Sequence, residues 1–150
     1  MYNITTPAPP PDTIPDAFTF TDVTNAGTGT VYTSNAITIS GINTGSTLSI
    51  SGGTYNINGS PSYVATSTTI QNGDVVTVRL TSSASFSTAV STTLTIGGVS
   101  DTYSVTTLAS DGVPNAFSLP AVTNAAINTD YTSSAFPVSG INVGSAISIS

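Results

Sequence analysis

The chain contains no cysteine, no histidine, no tryptophan, no lysine and no glutamate, and each absence closes a class of function. Without cysteine there is no disulfide framework, so stability must come from core packing. Without histidine, lysine or cysteine, the many Ser and Thr hydroxyls have no base to activate them as nucleophiles, so the sequence reads as a non-enzyme. Arg79 is the one basic residue against seven Asp, for a net charge of −6. That balance argues against nucleic acid and against anionic membrane surfaces, both of which are bound through Lys and Arg. It also removes nearly every trypsin-type cleavage site, which suits life outside the cell. Charged residues make up 5% of the chain, where soluble domains average about 25%. The surface must therefore be built from hydroxyls and amides. No apolar run approaches the length of about 18 residues that spans a membrane, so no membrane insertion is expected.

What is present is a repeat. Residues 12–51 read DTIPDAFTFTDVTNAGTGTVYTSNAITISGINTGSTLSIS, and residues 111–150 read DGVPNAFSLPAVTNAAINTDYTSSAFPVSGINVGSAISIS. Landmarks recur without gaps at a constant offset of 99 residues: Pro15 with Pro114, Phe18 with Phe117, Tyr32 with Tyr131, Gly41 with Gly140, Ile50 with Ile149. A fixed period without insertions marks tandem structural modules. This period is the size of one small β-sandwich domain. The expected organisation is a Pro-rich N-terminal extension (residues 1–11), a complete module (12–110) and the first half of a second (111–150). The extension has neither a basic n-region nor an apolar h-region, so it does not read as a signal peptide. The linker at 106–111 is short, which predicts closely coupled modules.

Periodicity two recurs along the complete module and helical periodicity nowhere. Phe18 and Phe20 alternate with Thr19 and Thr21, predicting a first strand with an aromatic inner face. Strands are also expected at 30–34, at 36–40, around Leu48 and Ile50, at Val76, Val78 and Leu80, at Leu94 and Ile96, and from Val99 to Val105. Asn58-Gly59 is the best short hairpin signal, and Asn72-Gly73-Asp74 marks another turn. Ile37 becomes Phe136, Ile39 becomes Val138 and Leu48 becomes Ile147 in the second copy, which fits inward positions. Thr38 becomes Pro137, which predicts an edge strand or a bulge where no ladder N–H is needed.

Three candidate chemistries remain. Asp12, Asp16, Asp22, Asp101 and Asp111 fall near the module's two ends, where oxygen ligands could gather around Ca²⁺. The competing reading, as turn caps, is preferred because Asp16 becomes Asn115 and Asp22 becomes Ala121. No other cofactor is expected. Tyr2, Tyr32, Tyr55, Tyr63, Tyr103 and Tyr131 would serve a carbohydrate-binding module if exposed together, although most are expected in the core or on a sheet face. Asn3 and Asn58 match the N-glycosylation pattern, with the turn reading preferred for Asn58.

The opener D-x-x-P-[DN]-A-F at 12–18 and 111–117, S-G-I-N at 40–43 and 139–142, N-G-D at 72–74 and I-G-G-V-S-D-T-Y at 96–103 together resemble the long tandem Ig-like repeats of giant bacterial surface and secreted proteins. The resemblance covers residues 12–150. It implies an all-β, Ig-like antiparallel sandwich used outside the cell as a stalk or spacer in an adhesin or matrix fibre, and it supplies no catalytic residues. A virion module of the same shape is the alternative. The half module would expose its apolar side and unpaired edges. Phe117, Tyr131, Phe136, Val138, Ile141, Ile147 and Ile149 are therefore expected to pack against further repeats of a longer chain or against copies of the chain itself, head to tail.

Overall fold

The computed structural model describes residues 6–149. They fall into two compact units, one ending at Leu108 and one beginning at Ala109. The first holds nine strands and, among the described residues, no helix: β1 (Val23–Ala26), β2 (Val31–Thr33), β3 (Ile37–Thr38), β4 (Ser46–Ser51), β5 (Thr54–Ile57), β6 (Thr68–Ile70), β7 (Val75–Thr81), β8 (Ala89–Ile96) and β9 (Val99–Thr107).

Two sheets form. One has the order β1-β9-β8-β4-β6. In the other, β2 and β3 occupy successive stretches of one side of β7, and β5 pairs with its other side. Alternation explains the packing. Val76, Val78 and Leu80 on β7, Leu94 and Ile96 on β8, and Tyr103 and Val105 on β9 are all buried, with polar residues between them. These inner faces meet Leu48 and Ile70 in one core, and the unit is a β-sandwich.

Among the described residues one ladder is parallel: β1 runs alongside β9, with Val23 opposite Val105 and Ala26 opposite Thr107. The backbone before β1 follows the same track. The Phe20 N–H donates to Asp101 (2.6 Å), and Asp22 accepts from the Ser104 N–H (2.8 Å). At the other end of β9, the Thr13 carbonyl accepts from the Ser46 hydroxyl (2.7 Å) beside Gly97. Gly97 sits at φ 56°, and a Cβ there would run into the Thr13 carbonyl oxygen, so the β8–β9 turn has to be glycine.

Several expectations change in detail. The predicted first strand at Phe18 is a strap rather than a ladder strand. Phe20 does turn inward, but the Phe20 and Thr21 N–H groups go to the side chains of Asp101 and Asn35. Asn58-Gly59 does form a tight turn, with φ 52° and 69°, yet it makes no hairpin. The ladder partner of β5 is β7, and the chain after the turn returns only one bridge, Tyr55 to Val64. The Thr38 position behaves as predicted. Ile39 N–H donates to the Asp74 backbone carbonyl (2.9 Å), so the antiparallel alternation turns the Thr38 N–H away from β7. A proline fits there.

The second unit contains no strand among its described residues, although 111–150 was expected to supply the first strands of a sandwich. The reason lies in the first unit's topology. Its β1 pairs with β9, β2 and β3 with β7, and β4 with β6 and β8. None of the first four strands pairs with another of the four. A segment equivalent to them alone therefore has no ladder to form.

Candidate functional site

The second unit repeats much of the loop geometry of the first at the 99-residue offset. Asp12 N–H donates to the Asn43 side chain (2.7 Å), and Asp111 N–H to that of Asn142 (2.6 Å). Asp16 N–H donates to the Ser40 carbonyl (2.9 Å), and Asn115 N–H to that of Ser139 (2.8 Å). The Tyr32 hydroxyl accepts from Gly27 N–H and the Tyr131 hydroxyl from Ala126 N–H, both at 2.8 Å. Gly41 and Gly140 take φ 86° and 85°, each lying where a Cβ would strike residue 16 or 115 of its own copy. Asn25 and Asn124 share φ 55° and 57°. Local sequence thus builds the same frame in both copies.

What differs is cover. Leu48 is 0% exposed, whereas Ile147 is 88% exposed; Ile39 is 2% exposed and Val138 50%. Phe136, in the place of buried Ile37, stacks on Phe117 at 4.6 Å between centroids with 16° between planes. Phe117, Phe136, Val138, Ile141 and Ile147 line an open apolar cavity of about 510 Å³. Ile149 and Tyr131 stand outside it, both exposed. The structure therefore brings together five of the seven residues singled out for packing. This apolar face is the candidate site: large, unpaired and without any charged side chain in its lining.

The calcium candidates are engaged otherwise. Asp12 and Asp111 each accept from the N–H two residues on, from Ile14 and Val113. Asp16 accepts from the Ser40 hydroxyl, Asp22 from Ser104 N–H and Asp101 from Phe20 N–H. Among the described residues no three acids gather as a metal site would need. Within the first unit the tyrosines do not form one platform. Tyr55 and Tyr103 are core residues. Tyr63 is capped by the Arg79 guanidinium, 3.7 Å from its ring centre. Tyr2 and Asn3 lie outside the described residues.

Burial pushes the Tyr55 hydroxyl above its ordinary pKa. Burial does the same for Tyr103, helped by Asp22 and Tyr32. Tyr55 donates to the Thr66 carbonyl (2.6 Å), while Tyr103 has no hydrogen-bond partner among the described residues. The strap's side-chain acceptors, Asn35, Asn43, Asp22 and Asp101, were not singled out as such from sequence. Only Asn43 carried a readable signal, through its place in the repeated S-G-I-N. No protein-family model matches the chain, and no curated protein and no solved structure matches it.

Proposed function

We propose that the chain is a non-enzymatic structural module of a bacterial extracellular repeat protein, a length of adhesin stalk or matrix filament built from Ig-like sandwiches. The observation that carries this reading is the parallel pairing of β1 with β9. The strap starts beside Gly97, at the beginning of β9, and β1 ends beside Thr107, at its end. The chain thus enters the sandwich at one pole and leaves it at the other, about 30 Å away along a nine-residue strand. A module with its ends at opposite poles adds its own length to any chain it is strung in. The Ig-like assignment draws support from the same pairing and from the split of strands, β1, β9, β8 and β4 against β2/β3, β7 and β5. The loop bonds that residues 111–149 share with residues 12–50 support a second module begun on the same plan. The surface of hydroxyls and amides suits exposure to extracellular proteases.

Gold-labelled antibody against the chain, applied to intact source cells, tests the reading. Label is expected at the cell surface or along fibres leading from it. Label that enters only after lysis overturns the extracellular placement.

A further inference from the structure

We propose that residues 111–149 are a second donor segment for the β5–β9 scaffold of another copy of this chain, and that copies assemble by exchanging this segment for residues 12–51. The proposal rests on the module reading above, in its claim that residues 111–149 begin a second copy. In the first unit every ladder of β1–β4 runs to a strand between β6 and β9. Residues 12–51 are therefore a donor and 52–108 its acceptor. The described residues thus hold two donors and one acceptor.

The second donor has kept its fit to that acceptor. Phe20 and Ile37 lie in one core, and their counterparts are Leu119 and Phe136: one aromatic and one aliphatic residue exchange places with volume conserved. Thr21 N–H donates to Asn35 (2.8 Å); at the equivalent positions Pro120 has no N–H and Ser134 replaces the asparagine, so donor and acceptor vanish together. Gly29 becomes Asn128 at the same left-handed φ, which asparagine tolerates. One contact is lost, because Ala121 cannot replace Asp22 as acceptor for the Ser104 N–H. The chain's own first donor therefore holds the acceptor in dilute solution.

The exchange must be between molecules. To take the place of 12–51 in its own chain, residue 111 would have to return from Thr107 to the level of Gly97, roughly 30 Å. The three linking residues 108–110 reach only about 14 Å. In a second copy no such tether applies. A donated segment leaves the recipient's own 111–149 free, so contacts run head to tail and need not close.

The variant Leu48→Asp of the 150-residue chain tests this. It places a carboxylate at a fully buried position of the first donor and leaves the second intact. After unfolding in urea it is refolded at low micromolar and at near-millimolar concentration, then followed by circular dichroism and light scattering. The expected result is little β-structure when dilute and folded protein when concentrated. The concentrated species should have at least twice the 15.0 kDa chain mass. Adding Ile147→Asp should abolish that species. A variant that stays unfolded at both concentrations, one that folds as a monomer, or oligomers that survive Ile147→Asp would overturn the proposal. Failure here leaves the stalk reading standing, since covalently joined modules need no exchange. Failure of the surface labelling leaves the refolding result standing.

Discussion

Leu48 and Ile147 occupy equivalent positions of the two copies and differ almost only in cover, which makes them a matched pair for a stability experiment. Leu48 sits on β4 between Thr68 of β6 and Ile96 of β8, with 0% of its surface exposed. Leu48→Ala removes three buried carbons from a site hemmed by two ladders, so the backbone has little room to collapse. The expected loss is about 3–4 kcal/mol, transfer and cavity contributions together. For a domain of this size that lowers Tm by roughly 12–30 °C. Ile147 is 88% exposed, so Ile147→Ala should stay within about 0.5 kcal/mol of the parent. Urea melts at low micromolar protein, followed by far-ultraviolet circular dichroism and tyrosine fluorescence, read both changes; with no tryptophan in the chain, its six tyrosines, buried Tyr55 and Tyr103 among them, are the fluorescent reporters. A loss above about 1 kcal/mol for Ile147→Ala would refute the account of an uncovered second face. So would a loss below about 1 kcal/mol for Leu48→Ala, which no fully buried leucine between paired strands should show.

Three further outcomes are expected. Asp101→Ala strips the acceptor from the Phe20 N–H and should cost about 1.5–3 kcal/mol in a urea melt, with the strap loosened first in hydrogen exchange. Tyr55 and Tyr103 are raised above the ordinary tyrosine value in the fold, so their stabilising effect is complete below pH ~10. As pH rises above that value the unfolded chain loses its protons first, and stability should fall by about 1.4 kcal/mol per pH unit for each group until its folded pKa is passed; Tm measured against pH checks the slope, and Tyr103→Phe should halve it. Because Asp12, Asp16, Asp22, Asp101 and Asp111 already accept bonds within the protein, adding calcium or a chelator should leave Tm unchanged; an upward shift with millimolar calcium would restore the metal reading.

The all-β fold was legible because the strands that matter most alternate cleanly. Val76, Val78 and Leu80, or Leu94 and Ile96, each declare an inner face through period two alone. The Thr38 to Pro137 change even disclosed the direction of an N–H. What stayed hidden were the partners. Asn58-Gly59 forms its predicted turn, but a turn signal is local, and the choice of β7 over the following segment as partner of β5 is a tertiary one. The strap misled for a related reason: Phe18 and Phe20 carry a strand's pattern, while Asp101 and Asn35, distant in sequence, take the hydrogen bonds that a ladder would have made. The candidate face was legible only through the repeat. Phe117, Phe136 and Ile147 look like core residues in their own right, and only the alignment with Phe18, Ile37 and Leu48 tells which strands are needed to cover them.

That dependence follows from the order of the strands. In a meander, half a domain keeps half its ladders. Here β1 waits for β9 and β2 for β7, so the first forty residues gain loop bonds but no sheet until the last forty arrive. Loop closure over such separations costs only slowly increasing entropy, which is why the complete unit tolerates the arrangement. Residues 111–149 repeat local bonds of the fold at Asn142, Ser139 and Tyr131, and are left with an apolar face that no local interaction covers. Ile39 and Leu48 lie buried in the first unit, whereas their counterparts Val138 and Ile147 are exposed. In the first unit the cover comes from β6–β9, with valines, leucines and isoleucines at alternate positions.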